Sequence, residues 1–269
     1  MKQEILKQLD EIKDEQLAQY QNNPERTEIV KIIKLAQLVM FPDFYHYLDL
    51  KPDKALTILH EELNQQVTKS LNYQKEDCTC CNEISEYFLA KLPEVKKLLL
   101  TDIQAIYDGD PACQSKAEVL LSYPGFYAIT IHRLAHILYK LKVPYLPRIM
   151  SEYAHEKTGI DIHPGASIGA YFCIDHGSGI VIGETCEIGQ HVKLYQGVTL
   201  GAKSFNLDED GNPVKGGKRH PKIGDNVVIY ANATILGGDT FIADDCVIGG
   251  NVWLTHSTNP GETIYYKNQ

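Results

Sequence analysis

Residues 161–200 read DIHPGASIGAYFCIDHGSGIVIGETCEIGQHVKLYQGVTL. Every sixth position is apolar: Ile162, Ile168, Ile174, Ile180, Cys186, Val192 and Val198. After a gap the spacing resumes with Ile223, Ile229, Ile235, Phe241, Val247 and Trp253. Six is neither the period of a strand, two, nor that of a helix, 3.6. A short fixed period marks a solenoid, and six is the hexapeptide β-helix repeat. Each hexad then supplies a short flat strand and a turn, and three hexads close one triangular coil. Read without a slip, the thirteen anchors predict a little over four coils across 160–257, with a short extended tail at 258–269. Ala166, Ser178, Ala233 and Ser257, four positions after an anchor, suit tight inner corners.

Upstream the period is helical. Ile5, Leu9 and Ile12 share one face, and Ile29, Ile32, Ile33, Ala36, Val39 and Met40 share another. Pro42 ends that segment, and Pro52 opens one carrying Leu56, Leu59, Leu63 and Val67. Further helices are predicted over about 83–107 and 126–141, separated by Asp108-Gly109-Asp110-Pro111, with one more running to a stop at Gly159. The fold class is therefore α+β: an all-α domain over 1–158, then the prism.

The gap between Val198 and Ile223 spans 25 residues where six are due, leaving 19 extra. This loop, 201–221, is polar and Gly-rich, and it ends on Arg219-His220-Pro221-Lys222. An excursion of this kind from a rigid scaffold is a natural place for function.

Composition narrows the classes. The 269 residues are 43% apolar and 23% charged, as in a soluble globular chain. A net charge of −9 argues against nucleic-acid binding, which needs a basic face. No apolar run approaches membrane-spanning length, and seven cysteines in so long a chain do not form a secreted disulfide framework. A cytoplasmic location is expected.

Four segments carry a more specific signal: Asp161–Gly165, Asp175–Thr185, Arg219–Lys222 and, upstream, Asp110-Pro111-Ala112. Together and in this order they resemble the signature of the serine acetyltransferases, hexapeptide-repeat enzymes that move acetyl from acetyl-CoA to the hydroxyl of L-serine, giving O-acetyl-L-serine for cysteine biosynthesis. The similarity runs from about Asp108 to Val252. It implies a left-handed prism, although the general crossover rule favours the opposite hand. It implies His176 as general base and Asp161 as the carboxylate that orients its ring. Asp110 and Asp175 would engage the serine ammonium, Arg219 the carboxylate, and His220 would complete the pocket. Gly201, Ala202 and Lys222 would face the acetyl-CoA arm. Acetyl-CoA is then a co-substrate, and no metal is expected. The resemblance also implies a homotrimer with sites in grooves between subunits, or a hexamer of two trimers paired through the helical domain.

Other features are read as structural. Glu184 reads as a prism-corner hydrogen-bonding residue, and His163 as structural. Cys78-Thr79-Cys80-Cys81 has no matching pair at zinc-finger spacing and reads as an exposed interhelical cluster. His132 and His136, four apart on a helix, lack a third ligand and read as packing. The alternative function is a prism acetyltransferase for a sugar or xenobiotic hydroxyl, which would not need Asp110, Asp175 and Arg219. A zinc enzyme of the carbonic anhydrase type needs three histidines on one site, and the prism has no close histidine pair. A purely binding solenoid would not need the Asp161–His176 pair. Serine acetyltransferases commonly end in an apolar residue, often isoleucine, that docks into O-acetylserine sulfhydrylase. Gln269 is polar, so a weak complex, or none, is expected through this terminus.

Overall fold

The computed structural model describes residues 1–12, 23–72, 80–204, 208–212, 214 and 216–266. Cys78 and Gln269, singled out above, and parts of the 201–221 loop lie outside them.

Seven helices come first among the described residues: α1 Lys2–Glu11, α2 Arg26–Met40, α3 Pro52–Asn72, α4 Cys81–Gly109, α5 Lys116–Ser122, α6 Pro124–Lys140 and α7 Leu146–Thr158. On α2 the stripe of Ile29, Ile32, Ile33, Ala36 and Met40 is buried as expected. On α3 the buried stripe is Ala55, Leu59, Leu63 and Val67, with Leu56 turned outward. Ile5, Leu9 and Ile12 of the first stripe are exposed. Helix α5 was not anticipated, yet its signal is present: the Ser115 hydroxyl accepts from the Glu118 N–H, and Glu118 reaches back to the Gln114 N–H, close to a capping box. Gly159 ends α7 at φ +69°, its N–H donating to the His155 carbonyl at 2.8 Å. In the cysteine cluster Cys80 is exposed, whereas Cys81 is buried and disulfide-bonded.

Fourteen short strands follow among the described residues: β1 Asp161–Ile162, β2 Ser167–Ile168, β3 Cys173–Ile174, β4 Val181–Ile182, β5 Glu187–Ile188, β6 Lys193–Leu194, β7 Thr199–Gly201, β8 Lys222–Ile223, β9 Val228–Ile229, β10 Thr234–Leu236, β11 Phe241–Ile242, β12 Val247–Ile248, β13 Trp253–Leu254 and β14 Thr263–Ile264. They stack in parallel as three faces of a prism. Sheet A is β1-β4-β7-β10-β13, sheet B is β2-β5-β8-β11 and sheet C is β3-β6-β9-β12-β14. The second residue of each strand points inward. Ile162, Ile182, Leu200, Ile235 and Leu254 form one such ladder on sheet A. The tail read as extended thus contributes a strand, β14, which pairs with β12.

The hexad does slip, contrary to the expectation above. Between the inward residues Ile174 and Ile182 lie two residues more than a hexad allows, so the first coil takes 20 residues where the step from β4 to β7 takes 18. A further residue enters at Gly237-Gly238, so Ile242 and Leu254 point inward while Phe241 and Trp253 are exposed. The step from Leu200 to Ile223 exceeds a hexad by 17 residues rather than 19. Ile180, Cys186, Val192 and Val198 are buried, but in the corners that precede the strands. Ala166 and Ala233 are buried in the corners before β2 and β10, whereas Ser178 and Ser257 are exposed.

Helices and prism share one hydrophobic core. A buried polar clamp joins them. Arg133 of α6 holds Asp102 of α4 through Nε at 2.7 Å and Nη2 at 2.8 Å. The same guanidinium donates to the carbonyls of Ile168 and Gly169, and Asp102 accepts the Phe172 N–H at 3.0 Å.

Candidate active site

The two-residue slip is where the first group of charges sits. The corner from sheet C to sheet A after β3 is longer than a hexad, and it projects Asp175 and His176 from the prism. His176 adopts φ +59°, and its side chain is 73% exposed. Gly177 behind it is at φ +91°, and a Cβ there would lie 2.6 Å from Ile160 Cδ1, so the turn needs glycine on both counts. The His176 Nε2 stands 3.9 Å from Asp175 Oδ1. Asp161 lies on β1, at the same edge of sheet A, with no hydrogen bond to His176 among the described residues.

Asp110, just past α4, is brought to the same corner. Tyr123 Oη donates to its carboxylate at 2.5 Å and the Ala112 N–H at 2.8 Å, and these bonds hold its pKa below the usual carboxylate range. Lys193 of β6 was missed by the sequence reading. Its ammonium lies 3.0 Å from Asp175 Oδ2 and donates to the Gly109 carbonyl at 2.7 Å, tying the two acidic segments together. Burial works against that charge, but the bonds to Tyr195 and Asp175 outweigh it and keep the lysine protonated. The stacking register could have pointed to it, since Lys193 lies one coil below Cys173, two residues from Asp175.

The second group occupies the opposite edge of sheet A, in the corners leading to sheet B. Arg219 pairs with Glu184, which also accepts from Tyr139 Oη at 2.6 Å. Burial opposes the charge on Glu184, but those two bonds hold its pKa below the ordinary value. His220 is buried against Gly183, where a Cβ would come within 2.2 Å of Nε2, so only glycine admits the ring. Burial, reinforced by the neighbouring Arg219, lowers the His220 pKa to about 4. Gly201 ends β7 and Ala202 follows it, whereas Lys222 stands on sheet B near Glu187, at 3.8 Å. A cavity of about 600 Å³ opens beside Lys203, Gly216, Gly217 and Thr240. Within one chain, then, Asp110, Asp161, Asp175 and His176 gather at one edge of sheet A, and Arg219 and His220 at the other.

The other histidines singled out in the sequence behave as structural groups. His132 is buried and His136 Nδ1 lies 2.8 Å from the Pro164 carbonyl; burial lowers both pKa values. His163 Nδ1 accepts from the Gly165 N–H. No group of three or more His, Cys, Asp or Glu among the described residues is arranged to hold a metal.

Comparisons with known proteins identify the family. A family model described as serine acetyltransferase, N-terminal, matches residues 54–131. A plasmid serine acetyltransferase of Synechococcus elongatus is 46% identical over 259 residues, covering 90% of this chain and 81% of its own length. The crystal structure of Entamoeba histolytica serine acetyltransferase 1, in complex with L-cysteine, superposes with a TM-score of 0.79 at 38% identity, over 88% of this chain and 86% of that one. Brucella abortus serine acetyltransferase in complex with coenzyme A gives 0.61 at 28% identity, over 90% of this chain and 80% of that one. The prism is the left-handed parallel β-helix of these structures. On this sequence likeness and this fold, the chain belongs to the serine acetyltransferase family.

Proposed function

We propose that the two charge groups on sheet A are the halves of one site that acetylates L-serine from acetyl-CoA. The observation that carries this reading is the separation of charge: an acidic corner beside an exposed histidine, and a corner with Arg219 at the other edge. An amino acid offers the complementary pair, an ammonium and a carboxylate. Lys193 neutralises one of the two carboxylates, leaving a net negative site for the ammonium. His176 takes the serine hydroxyl proton as its oxygen attacks the thioester carbonyl, and Asp161 steadies the imidazolium. The tetrahedral carbon then expels the thiolate of CoA, which receives the proton.

Arg219 offers the guanidinium edge not used by Glu184 to the serine carboxylate. The acyl donor lies along the loop side of the prism, past Gly201 and Ala202 and toward the 600 Å³ cavity. One chain cannot close the site, because sheet A separates its two edges. A trimer, with the edge of one copy against the opposite edge of the next, supplies both.

An acetyl-CoA consumption assay across L-serine, L-homoserine and several sugars tests the substrate. L-serine is expected to give the highest kcat/KM, and a preferred sugar would overturn the reading. Arg219→Lys keeps the charge but loses the planar fork, so the KM for serine is expected to rise about tenfold with little change for acetyl-CoA. An equal rise for both substrates would assign Arg219 to holding the loop instead.

A further inference from the structure

We propose that Thr185 is a positioning residue of this site: it fixes the His220 ring in the Nε2–H tautomer and so makes it a standing hydrogen-bond donor toward the bound amino acid. The first half stands on geometry alone, and the second rests on the reading of His220 as a substrate-binding residue.

The tautomer follows from counting donors and acceptors. Thr185 Oγ1 accepts the backbone N–H of Arg219 at 3.0 Å and that of His220 at 3.1 Å. Both lone pairs of the hydroxyl are thereby used, so its proton is the only group left for its third neighbour, His220 Nδ1, at 2.9 Å. The Thr185 backbone N–H also donates to Nδ1, at 3.1 Å. A ring nitrogen that receives two donors is unprotonated. The single ring proton of the neutral imidazole is then on Nε2. Nε2 has no partner among the described residues, and it does not belong to the buried side-chain atoms left unpaired. It is thus a donor without an internal acceptor, open to a ligand oxygen.

The surroundings keep the ring neutral. The groups that face it are Arg219, Glu184, His163 and Lys218. Glu184 alone favours an imidazolium, and it is already engaged by Tyr139 and Arg219. With Nδ1 saturated by donors, protonation would break both bonds to Thr185. The low pKa of the ring, about 4, agrees with this. A neutral donor keeps one polarity across the working pH range, whereas a titrating histidine would change its charge there. One residue thus sets the path of the chain into β8, through two backbone amides, and the proton position of a side chain, through its hydroxyl.

Solid-state nitrogen-15 spectroscopy of the full chain labelled at histidine tests the lock, with His220→Gln used to assign the signal. The expected spectrum has Nδ1 bare and Nε2 protonated, unchanged between pH 8 and pH 5.5. A proton on Nδ1, or an imidazolium in that range, would overturn the proposal. Thr185→Val should free Nδ1, raise the acid limb of kcat/KM toward pH 6–7 and lower serine kcat/KM by about 10–100-fold. Thr185→Ser keeps the hydroxyl and should restore both. Should the valine variant fail to fold, Thr185→Cys, with a weak thiol donor, should show an intermediate loss and the same shift of the limb. An unmoved pH profile in these variants would reduce Thr185 to a structural residue and sink the proposal. If the tautomer is as described but His220→Gln leaves serine kinetics unchanged, the role toward substrate fails while the lock stands.

Discussion

His176→Asn is expected to lose on the order of 10²–10⁴-fold in kcat while folding normally. The activity term is that of a positioned general base: asparagine can hydrogen-bond the serine hydroxyl but cannot take its proton. The folding term comes from the backbone. Position 176 sits at φ +59°, a region in which asparagine is among the few tolerated L-residues. The side chain is 73% exposed and contributes little packing. Stability should therefore stay within about 0.5 kcal/mol of the parent. His176→Val makes the contrast, because a β-branched residue at positive φ strains the corner, and it should lose stability as well as turnover. Steady-state kinetics and thermal unfolding on the same samples separate the two terms. Near-normal turnover in a folded His176→Asn enzyme would remove His176 from the role of base.

The same corner shows what a sequence of this kind reveals and what it hides. The period of six was legible because the inward ladders are built wholly of Ile and Leu and the corners before them are mostly apolar too. The slips were not, because each hexad has two buried positions, the second residue of the strand and the corner just before it. Ile174 occupies the first and Ile180 the second, so stepping six residues from one to the other passes over a two-residue insertion without notice. The insertion that breaks the ladder projects His176, so the irregularity lost to the reading carries the residue proposed as the base. Phe241 and Trp253 misled in the same way: they are apolar residues one step from the inward Ile242 and Leu254. At the site, Asp175-His176 and Arg219-His220 were legible as motifs, since their chemistry lies in their own side chains. Lys193 and Tyr123 were not, because their importance lies in reaching Asp175 and Asp110 across coils and helices. Thr185 was hidden more deeply, since two of its three partners through Oγ1 are backbone amides, which no residue type announces.

The largest expected effect on stability lies away from the chemistry, in Arg133→Met. Its side chain is 5% exposed, and that of its partner Asp102 is fully buried. Burial pushes the Asp102 pKa up, Arg133 and the Phe172 N–H pull it back, and the balance is still above the ordinary carboxylate value. Without Arg133 the carboxylate is left without a counter-charge, and the carbonyls of Ile168 and Gly169 lose their donor. Breaking a buried pair from one side costs about 3–5 kcal/mol, much more than the pair itself contributes. The pH dependence follows from the direction of the shift. In the variant the folded-state pKa of Asp102 rises further above its unfolded value of about 4, so the penalty is full at neutral pH and shrinks as pH falls through the raised pKa. Adding Asp102→Asn removes the buried charge and should recover part of the loss. Recovery should be incomplete, because the two carbonyls remain unpaired. Function should follow stability here, since Arg133 and Asp102 hold Ile168, Gly169 and Phe172 directly upstream of β3, the strand that delivers Asp175 and His176. Denaturant unfolding of the parent and these two variants at pH 5 and pH 7.5 checks this. A loss below 1 kcal/mol, or one independent of pH, would show that the helical layer is held to the prism by apolar packing alone.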